Sequence, residues 1–380
     1  MIIYYAMLLL LALASYEFKK IKPTKKTKKT FLLLCWILLS TVQGLRGFRV
    51  GSDTPMYVNH FNGLVKAKFE IGYELLVQII RMITSNPTIF LIITAMIING
   101  LVILGIGYLS PNPALSVYCY VTLYYYFNSY NAQRQYIAVG IVMVAFCMAT
   151  KRKWLFAFLL VTLAMTFHST AFIGYLLCVG ELIIYRIEKR RINSRKLFGL
   201  PDSPDDICLE QDLTVSRWNE RLFLFVVVIM AFLISSQLDK LVNLLLQLFP
   251  RYQIYTMEGY GKYLTGQGGI QQPVVYSLIL MAYYCLVPNG KIYKLRYIIP
   301  IGIAVVLAVL QKKTIFAGRF LWYFDIFSII AIPQFVSSKK MTRPSRRAIH
   351  FVMLVICLAF MSYYLLQDGM VVKNYTFSFT

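Results

Sequence analysis

Residues 19–45 read KKIKPTKKTKKTFLLLCWILLSTVQGL, a block of lysines followed at once by an apolar run. A helix that crosses a bilayer needs about 20 mostly apolar residues. Lysine and arginine are enriched in the cytoplasmic loops next to such helices. The stretch therefore predicts a spanning helix whose lysine-rich end lies in the cytoplasm.

The same pattern recurs along the whole chain of 380 residues. Hydrophobic residues make up 58% of it and charged residues only 14%, whereas a soluble domain is about a quarter charged. Apolar runs fall at residues 1–16, 31–45, 88–109, 113–128, 134–150, 153–167, 169–185, 221–238, 273–288, 297–311, 319–336 and 348–366. They predict an all-α polytopic membrane protein with about 12 spanning helices, within a range of roughly 11 to 13, folded as one integral membrane domain over residues 1–380.

The basic residues predict the orientation of these helices. If residues 17–30 are cytoplasmic and the helices alternate, most of the 39 lysines and arginines fall in inner loops, among them 151–153, 186–220, 289–296 and 337–347. Both ends of the chain are then outside, an N-out/C-out topology. The formal net charge of +23 follows from this topology, so no nucleic-acid partner is expected.

Three polar segments are longer than simple turns. The outer segment 46–87 contains FEIGYELLVQIIRMI, whose apolar residues follow helical spacing and predict an amphipathic helix at the outer interface of the membrane. The segment 186–220 mixes basic and acidic residues and predicts a solvated cytoplasmic loop. The segment 239–272 predicts an outer loop that is rich in tyrosine and glycine.

Under this topology the outer helix ends collect an unusual set of polar side chains. Positive charge is normally avoided on the outer side, so each outer arginine needs an explanation. The candidate site residues are Arg46, Arg49, Asp53, Tyr57, Glu74, Asn131, Arg134, Gln135, His168, Arg251, Tyr252, Tyr255 and Arg319. Arginine binds phosphate through two parallel hydrogen bonds and stays charged. The set therefore predicts a site for an anion, such as a diphosphate whose lipid tail lies among the helices.

The residues of this set have different expected roles. Snorkelling to the headgroups is the alternative explanation for any single outer arginine. Arg134 at a helix start adds to the positive end of the helix dipole, which favours an anionic guest there. His168 and Asp53 are the candidate catalytic bases, although Asp53 could instead hold an arginine by an ion pair. No Cys/His cluster with metal-ligand spacing and no DxD pair is present, so neither a metal nor another cofactor is expected.

Several short motifs, in this order along the chain, resemble those of the EpsG family, which belongs with the Wzy-type bacterial polysaccharide polymerases. They are RGFRVGSDTPMY (46–57), EIGYELL (70–76), NAQRQYIA (131–138), FHSTAFI (167–173), RYQIY (251–255) and the arginine at 319, and the tail NYTFSFT is also in keeping. The first motif departs from the family's usual G-T-D-T by having Ser52, which keeps the hydroxyl group.

The resemblance implies a glycosyltransferase with an architecture like that of the GT-C membrane enzymes. It would act at the outer face of the bacterial cytoplasmic (inner) membrane, transferring a growing glycan from undecaprenyl diphosphate to a lipid-linked repeat unit. Arg134 and Arg251 are then expected to contact the diphosphate, with Arg46 and Arg319 next. Expected partners are the lipid-linked oligosaccharide, membrane lipids, and a chain-length regulator and flippase of the same pathway.

Three other functions are alternatives to polymerisation. A ligase that passes a finished glycan to another acceptor shares the same outer arginines and histidine, and composition does not separate the two. A flippase or transporter would need charges deep within its helices, but the helix interiors are nearly free of charge apart from Asp325. A polytopic O-acyltransferase would need its histidine on the inner side, whereas His168 is predicted outside.

Overall fold

The computed structural model describes residues 1–21, 24–65, 68–197, 270–288, 294–311 and 315–378. These residues are almost entirely helical, and no strand occurs among them beyond one isolated bridge between Arg46 and Phe377. The α-helices are α1 (Ile2–Ile21), α2 (Lys25–Gly44), α3 (Thr54–Phe61), α4 (Ile71–Ile83), α5 (Pro87–Leu109), α6 (Pro113–Thr122), α7 (Tyr125–Asn131), α8 (Gln133–Thr150), α9 (Trp154–Phe167), α10 (Gly174–Leu197), α11 (Gln271–Leu286), α12 (Leu295–Leu310), α13 (Ile315–Asp325), α14 (Ser328–Val336) and α15 (Arg343–Gln367). A short 3-10 helix, Ser169–Ile173, comes before α10.

Several of these helices have the length and hydrophobicity of membrane spans. The five that meet both criteria among the described residues are Pro87–Leu109, Gln133–Thr150, Ser169–Arg190, Phe316–Val336 and Arg343–Gln367. Others are shorter but apolar, such as Trp154–Phe167. The helices also expose large apolar side chains, among them Leu33, Leu104 and Phe351, which need a cover of lipid or protein. The predicted class, an all-α polytopic membrane protein, is confirmed.

The chain forms two compact units. Unit 1 comprises Met1–Cys178, Ile332–Ser337 and Met341–Thr380, and unit 2 comprises Val179–Ala331 and Ser338–Lys340. In unit 1, α2 packs along α5, α5 along α8, and α8 along α9. Small residues permit these close approaches. A Cβ atom at Gly140 on α8, for example, would lie 2.7 Å from the Leu101 Cβ on α5.

Buried polar side chains also join the helices of unit 1. Gln43 on α2 donates to the Ser129 hydroxyl on α7 at 2.9 Å and accepts from the Asn99 amide on α5 at 2.8 Å. The Tyr120 hydroxyl donates to the side-chain Oδ1 of Asn99 at 3.2 Å. Because buried amides and hydroxyls are costly without partners, this network fixes how α2, α5 and α7 fit together just below the end of α2.

The prediction of one helix over residues 113–128 is wrong. The apolar run 113–128 predicts a single helix, but the chain forms α6 and α7, which are separated at Tyr124 with a φ of 73°. A left-handed residue interrupts a helix, and it is uncommon for a bulky side chain. The Tyr124 ring lies against Phe127 at 4.9 Å and against Tyr364 at 5.4 Å between ring centroids. These contacts offset the strain and are invisible to a hydropathy pattern.

Unit 2 contains more charge within its helices than the sequence predicts. Glu181 on α10 is buried and receives two hydrogen bonds from Arg296 on α12, one of them 2.8 Å long from Nε. Asp325, at the end of α13, accepts a hydrogen bond from the Tyr276 hydroxyl at 2.8 Å. Asp325 is therefore not the single charge within the predicted helices, because Glu181 lies inside the run 169–185.

Some predictions fall on residues that the structure does not describe. They are the helix at 221–238, the loop 239–272 up to residue 269, and the segment 186–220 beyond residue 197. Up to Leu197 that last segment continues the helix α10. The helix predicted within 46–87 is α4, with Tyr73, Val77 and Ile80 buried on one face.

Candidate functional site

The chain's C-terminal tail, residues 368–378, packs onto the loop that follows α2. Backbone hydrogen bonds run from Gly47 to the Thr376 carbonyl at 2.7 Å and from Gly51 to the Val371 carbonyl at 2.7 Å. The Tyr375 hydroxyl donates to the Val42 carbonyl at 2.7 Å. The glycines of this loop therefore make room for the tail and for neighbouring side chains. Gly51 has a φ of +95°, and a Cβ there would lie 2.7 Å from the Asn131 Oδ1.

Arg46 lies beneath this tail and is fully buried. Its Nε donates to the Thr54 hydroxyl at 3.2 Å, Nη1 to the Gln43 carbonyl at 2.5 Å and Nη2 to the Tyr130 carbonyl at 3.4 Å. Its guanidinium carbon also lies 4.8 Å from the centre of the Tyr130 ring. No carboxylate among the described residues pairs with it, and burial lowers the pKa of the Arg46 guanidinium. All three nitrogens bind the protein itself, so Arg46 holds the loop in place.

Asp53, in the loop after α2, meets Asn131 at the end of α7. The Asn131 side chain accepts from the Asp53 backbone N–H at 3.4 Å and donates to the Met370 carbonyl at 3.1 Å. The Asp53 carboxylate is half-buried and accepts a hydrogen bond from the Ser52 hydroxyl at 3.1 Å. Within the described residues it forms no ion pair, so the alternative role of holding an arginine finds no partner there.

Arg134 is the second residue of α8, as the sequence predicts for the start of that helix. Its guanidinium forms an ion pair with Glu70, which directly precedes α4. It also lies over the Phe69 ring, with 4.3 Å between the guanidinium carbon and the ring centre. Tyr57 lies beside it and packs against Phe69 at 5.9 Å between ring centroids. Side chains from two other segments of unit 1, the stretch before α4 and the helix α3, thus converge on the guanidinium of Arg134.

Polar groups around Arg134 are buried without partners in the described part of the chain. They are the Arg134 Nε, both polar atoms of the Gln133 amide and the Tyr73 hydroxyl. Tyr73 packs against Phe69 at 5.3 Å, and burial raises the pKa of its phenol well above its usual value. The hydroxyl therefore stays protonated and can donate. Each unpaired buried polar group costs about 1 to 3 kcal/mol, so a ligand offering acceptors would be stabilised here.

Glu74 is, with Asp53, one of the two acidic residues that the sequence predicts for the site. Its carboxylate accepts from the Phe69 backbone N–H at 3.1 Å and lies 3.1 Å from the His60 Nε2. These contacts hold the chain that leads into α4. Glu74 therefore orients the segment that carries Phe69 and Glu70, one turn before it.

His168 directly follows α9 and is buried, with its Nδ1 2.6 Å from the Thr170 hydroxyl. The end of α9 is close to α4, because a Cβ at Gly72 would collide with Thr166. His168 therefore belongs to the same end of unit 1 as Arg134. Its ring orientation is set by Thr170 within the turn that opens the 3-10 helix.

Arg49, Gln135 and Arg319 are the other candidates among the described residues. Arg49 is exposed and Gln135 is buried. Arg319 belongs to unit 2, where its guanidinium lies 5.8 Å from the Trp322 ring. Arg251, Tyr252 and Tyr255 lie outside the described residues.

Two residues at the centre of the cluster were not singled out from the sequence. Glu70 and Phe69 hold Arg134, yet the sequence predicts no role for either, although both lie in the stretch FEIGYELLVQIIRMI. The sequence feature that could have pointed to Glu70 is its position directly before an amphipathic helix, in a segment whose other charged residues include several arginines. Which arginine it would meet could not be read from spacing, because the two positions are 64 residues apart.

These features define a polytopic helical membrane protein that gathers arginine, carboxylate and aromatic side chains at one end of a helical unit. The family model for the EpsG family matches residues 29–200 and 215–377, which is most of the chain. The chain therefore belongs to the EpsG family, as its motifs predict. Membership indicates a Wzy-type polysaccharide polymerase, an enzyme of glycosyltransferase type. No curated protein and no solved structure matches the chain.

Proposed function

We propose that the protein lengthens a glycan carried on undecaprenyl diphosphate. The hydroxyl at the non-reducing end of a lipid-linked repeat unit attacks the anomeric carbon of the growing chain. A new glycosidic bond forms, the bond between the anomeric carbon and the diphosphate oxygen breaks, and undecaprenyl diphosphate leaves. The hydroxyl proton passes to a base on the protein. The donor, the acceptor and independence from metal ions are all parts of this proposal.

The observation that carries the proposal is the environment of Arg134. Negative charge grows on the diphosphate as the glycosidic bond breaks, and fixed donors stabilise that charge most when they are already oriented. Glu70 and Phe69 hold the guanidinium, while its Nε has no partner in the described residues. The Tyr73 hydroxyl and the Gln133 amide supply further unused polar groups nearby. Together they form a preorganised site for diphosphate oxygens.

We assign the base to Asp53, with His168 as the alternative. The Asp53 carboxylate is half-buried, and Ser52 is its one side-chain partner among the described residues, so an acceptor hydroxyl can reach it. His168 is buried, and Thr170 binds its Nδ1, which suits a structural role better. Arg46 then acts as a positioning residue that holds the loop carrying Asp53.

The finer topology belongs to the same proposal. We place the group formed by Arg134, Glu70, Phe69 and Tyr73 (the Arg134 cluster) at the outer face of the bacterial cytoplasmic membrane. The protein then has about 12 spanning helices, both chain ends outside and a GT-C-like architecture. The lysine-rich start of α2 is at the opposite end of that helix, about 30 Å from the loop that contains Asp53 for a helix of this length. A flippase and a chain-length regulator of the pathway would supply the substrate and limit the product.

Reconstitution tests the proposal most directly. The full chain in lipid vesicles, given an undecaprenyl-diphosphate-linked repeat unit and EDTA, is expected to produce a ladder of lengthened glycans. Arg134→Ala should remove the ladder, whereas Arg186→Ala, which changes an exposed arginine on α10, should keep it. Transfer to an unrelated acceptor without lengthening would indicate a ligase. Movement of the lipid-linked unit across the bilayer without any transfer would indicate a flippase.

A further inference from the structure

A second cationic region lies at the other end of unit 1. Lys25, Lys28 and Lys29 occupy the first turns of α2 and line a cavity of about 570 Å³ between α2 and α5. Cavities of roughly 300 to 1,000 Å³ accommodate small molecules. This cavity shares no residue with the Arg134 cluster.

The body of the cavity is apolar. It is formed by Leu32, Leu33 and Trp36 on α2 and by Leu104 and Tyr108 on α5, with glycines between them. A Cβ at Gly100 would lie 3.1 Å from the Trp36 Nε1, and one at Gly107 would lie 3.1 Å from the Leu32 Cδ1. At these two positions, which are two helical turns apart, glycine lets α2 pack closely against α5. The apolar side chains beside this contact give the cavity an apolar channel that suits a hydrocarbon chain.

The mouth of the cavity carries positive charge that the protein does not neutralise. None of the three lysines forms an ion pair within the described residues. The Lys151 ammonium, from the end of α8, lies 3.4 Å from the centre of the Tyr108 ring and adds a fourth cation at this end. Cations in the first turn of a helix also face the positive end of its dipole, so an anion here would be stabilised.

We propose that this cavity binds an acidic phospholipid of the inner leaflet. Its phosphate would lie among Lys25, Lys28 and Lys29, and one acyl chain would enter the cavity toward Trp36. Basic pockets between helices on the cytoplasmic side suit anionic headgroups, because each lysine adds electrostatic attraction and each buried methylene adds hydrophobic attraction. A free anion would contact only the lysines, and a neutral lipid would gain only from the apolar channel. An acidic phospholipid gains from both.

The experiment uses the purified, delipidated full chain in detergent. Phosphatidylglycerol and phosphatidylcholine are titrated separately, and bound lipid is counted by native mass spectrometry. We expect phosphatidylglycerol to bind more tightly, and Lys25→Gln/Lys28→Gln/Lys29→Gln to weaken it by about 100-fold, which is about fivefold for each basic residue.

The chain offers a matched control for this change. Arg343, Arg346 and Arg347 have the same spacing at the start of α15 and do not line the cavity, so their triple change to glutamine should leave the affinity within about twofold. Leu104→Trp fills the channel from an exposed position and should weaken binding without removing charge. Equal losses in the two triple variants, or tighter binding of undecaprenyl phosphate than of phosphatidylglycerol, would overturn the proposal.

Discussion

Arg134 in the first turn of α8 is paired with Glu70, the residue that directly precedes α4, across 64 positions of sequence. Both side chains are largely buried but still reach solvent, since the Arg134 side chain is 18% exposed and the Glu70 side chain 12%. A guanidinium held by one carboxylate and one aromatic face keeps other donors for a ligand. The pair therefore orients the arginine and leaves it able to bind a second anion.

Arg134→Lys should reduce polymerisation by about 100-fold or more. Lysine keeps the charge but is a point donor, and it cannot bind Glu70 and a diphosphate with the planar geometry of a guanidinium. The measurement is the rate of glycan lengthening in membranes that contain equal amounts of each variant. A rate within a few-fold of the wild-type rate would show that charge alone matters at this position.

Glu70→Gln should lower the same rate by about tenfold, because the arginine loses the group that orients it. The effect should depend on Arg134, so adding Glu70→Gln to Arg134→Lys should cause little further loss. A double-mutant cycle on the lengthening rate measures this coupling. Additive losses would mean that Glu70 acts on something other than Arg134.

Arg46→Ala should affect folding rather than chemistry. It removes three buried hydrogen bonds and leaves the Gln43 and Tyr130 carbonyls without their donor, which should lower the free energy of unfolding by about 3 kcal/mol or more. Arg46→Lys should recover only part, since one ammonium cannot reach all three acceptors. Thermal unfolding in detergent reports the loss. An inactive variant of unchanged stability would instead favour direct substrate binding.

Gly51→Ala and Gly63→Ala form a matched pair, because the two glycines flank α3. Both glycines have positive φ, +95° and +76°, but a Cβ meets Asn131 and Thr54 only at Gly51 and meets nothing within 4 Å at Gly63. Gly63→Ala should cost about 1 kcal/mol of backbone strain, and Gly51→Ala about 2 kcal/mol more. Thermal unfolding of both variants separates the collision from the strain. Equal destabilisation would exclude close packing of Gly51 against Asn131 and Thr54.

Glu181→Gln should destabilise unit 2, because it leaves Arg296 next to a neutral group. Breaking a buried ion pair by changing one partner typically costs about 3 to 5 kcal/mol, whereas replacing both partners by apolar residues is often neutral. Glu181→Met/Arg296→Met should therefore be more stable than Glu181→Gln in thermal unfolding. The reverse order would mean that the pair is solvated.

Local patterns predicted the secondary structure well. Hydropathy located α5 and α8, and helical spacing located α4, because both signals depend only on residues within a few turns of one another. The short motifs predicted the EpsG family for a similar reason, since each motif consists of residues that are adjacent in the sequence. The break at Tyr124 was missed because a left-handed tyrosine is stabilised by ring contacts from elsewhere in unit 1.

The sequence by itself determined that the protein is helical, spans a membrane and collects polar groups at certain helix ends. Only the tertiary structure decided which arginine serves the fold and which is available to a ligand. Arg46 and Arg134 look alike in sequence, but Arg46 is sealed beneath the C-terminal tail by three protein acceptors, and Arg134 is held by Glu70 with a donor to spare. The two arginines differ because different distant segments pack against them. The partners of a guanidinium therefore depend on the tertiary fold and not on its neighbours in the chain.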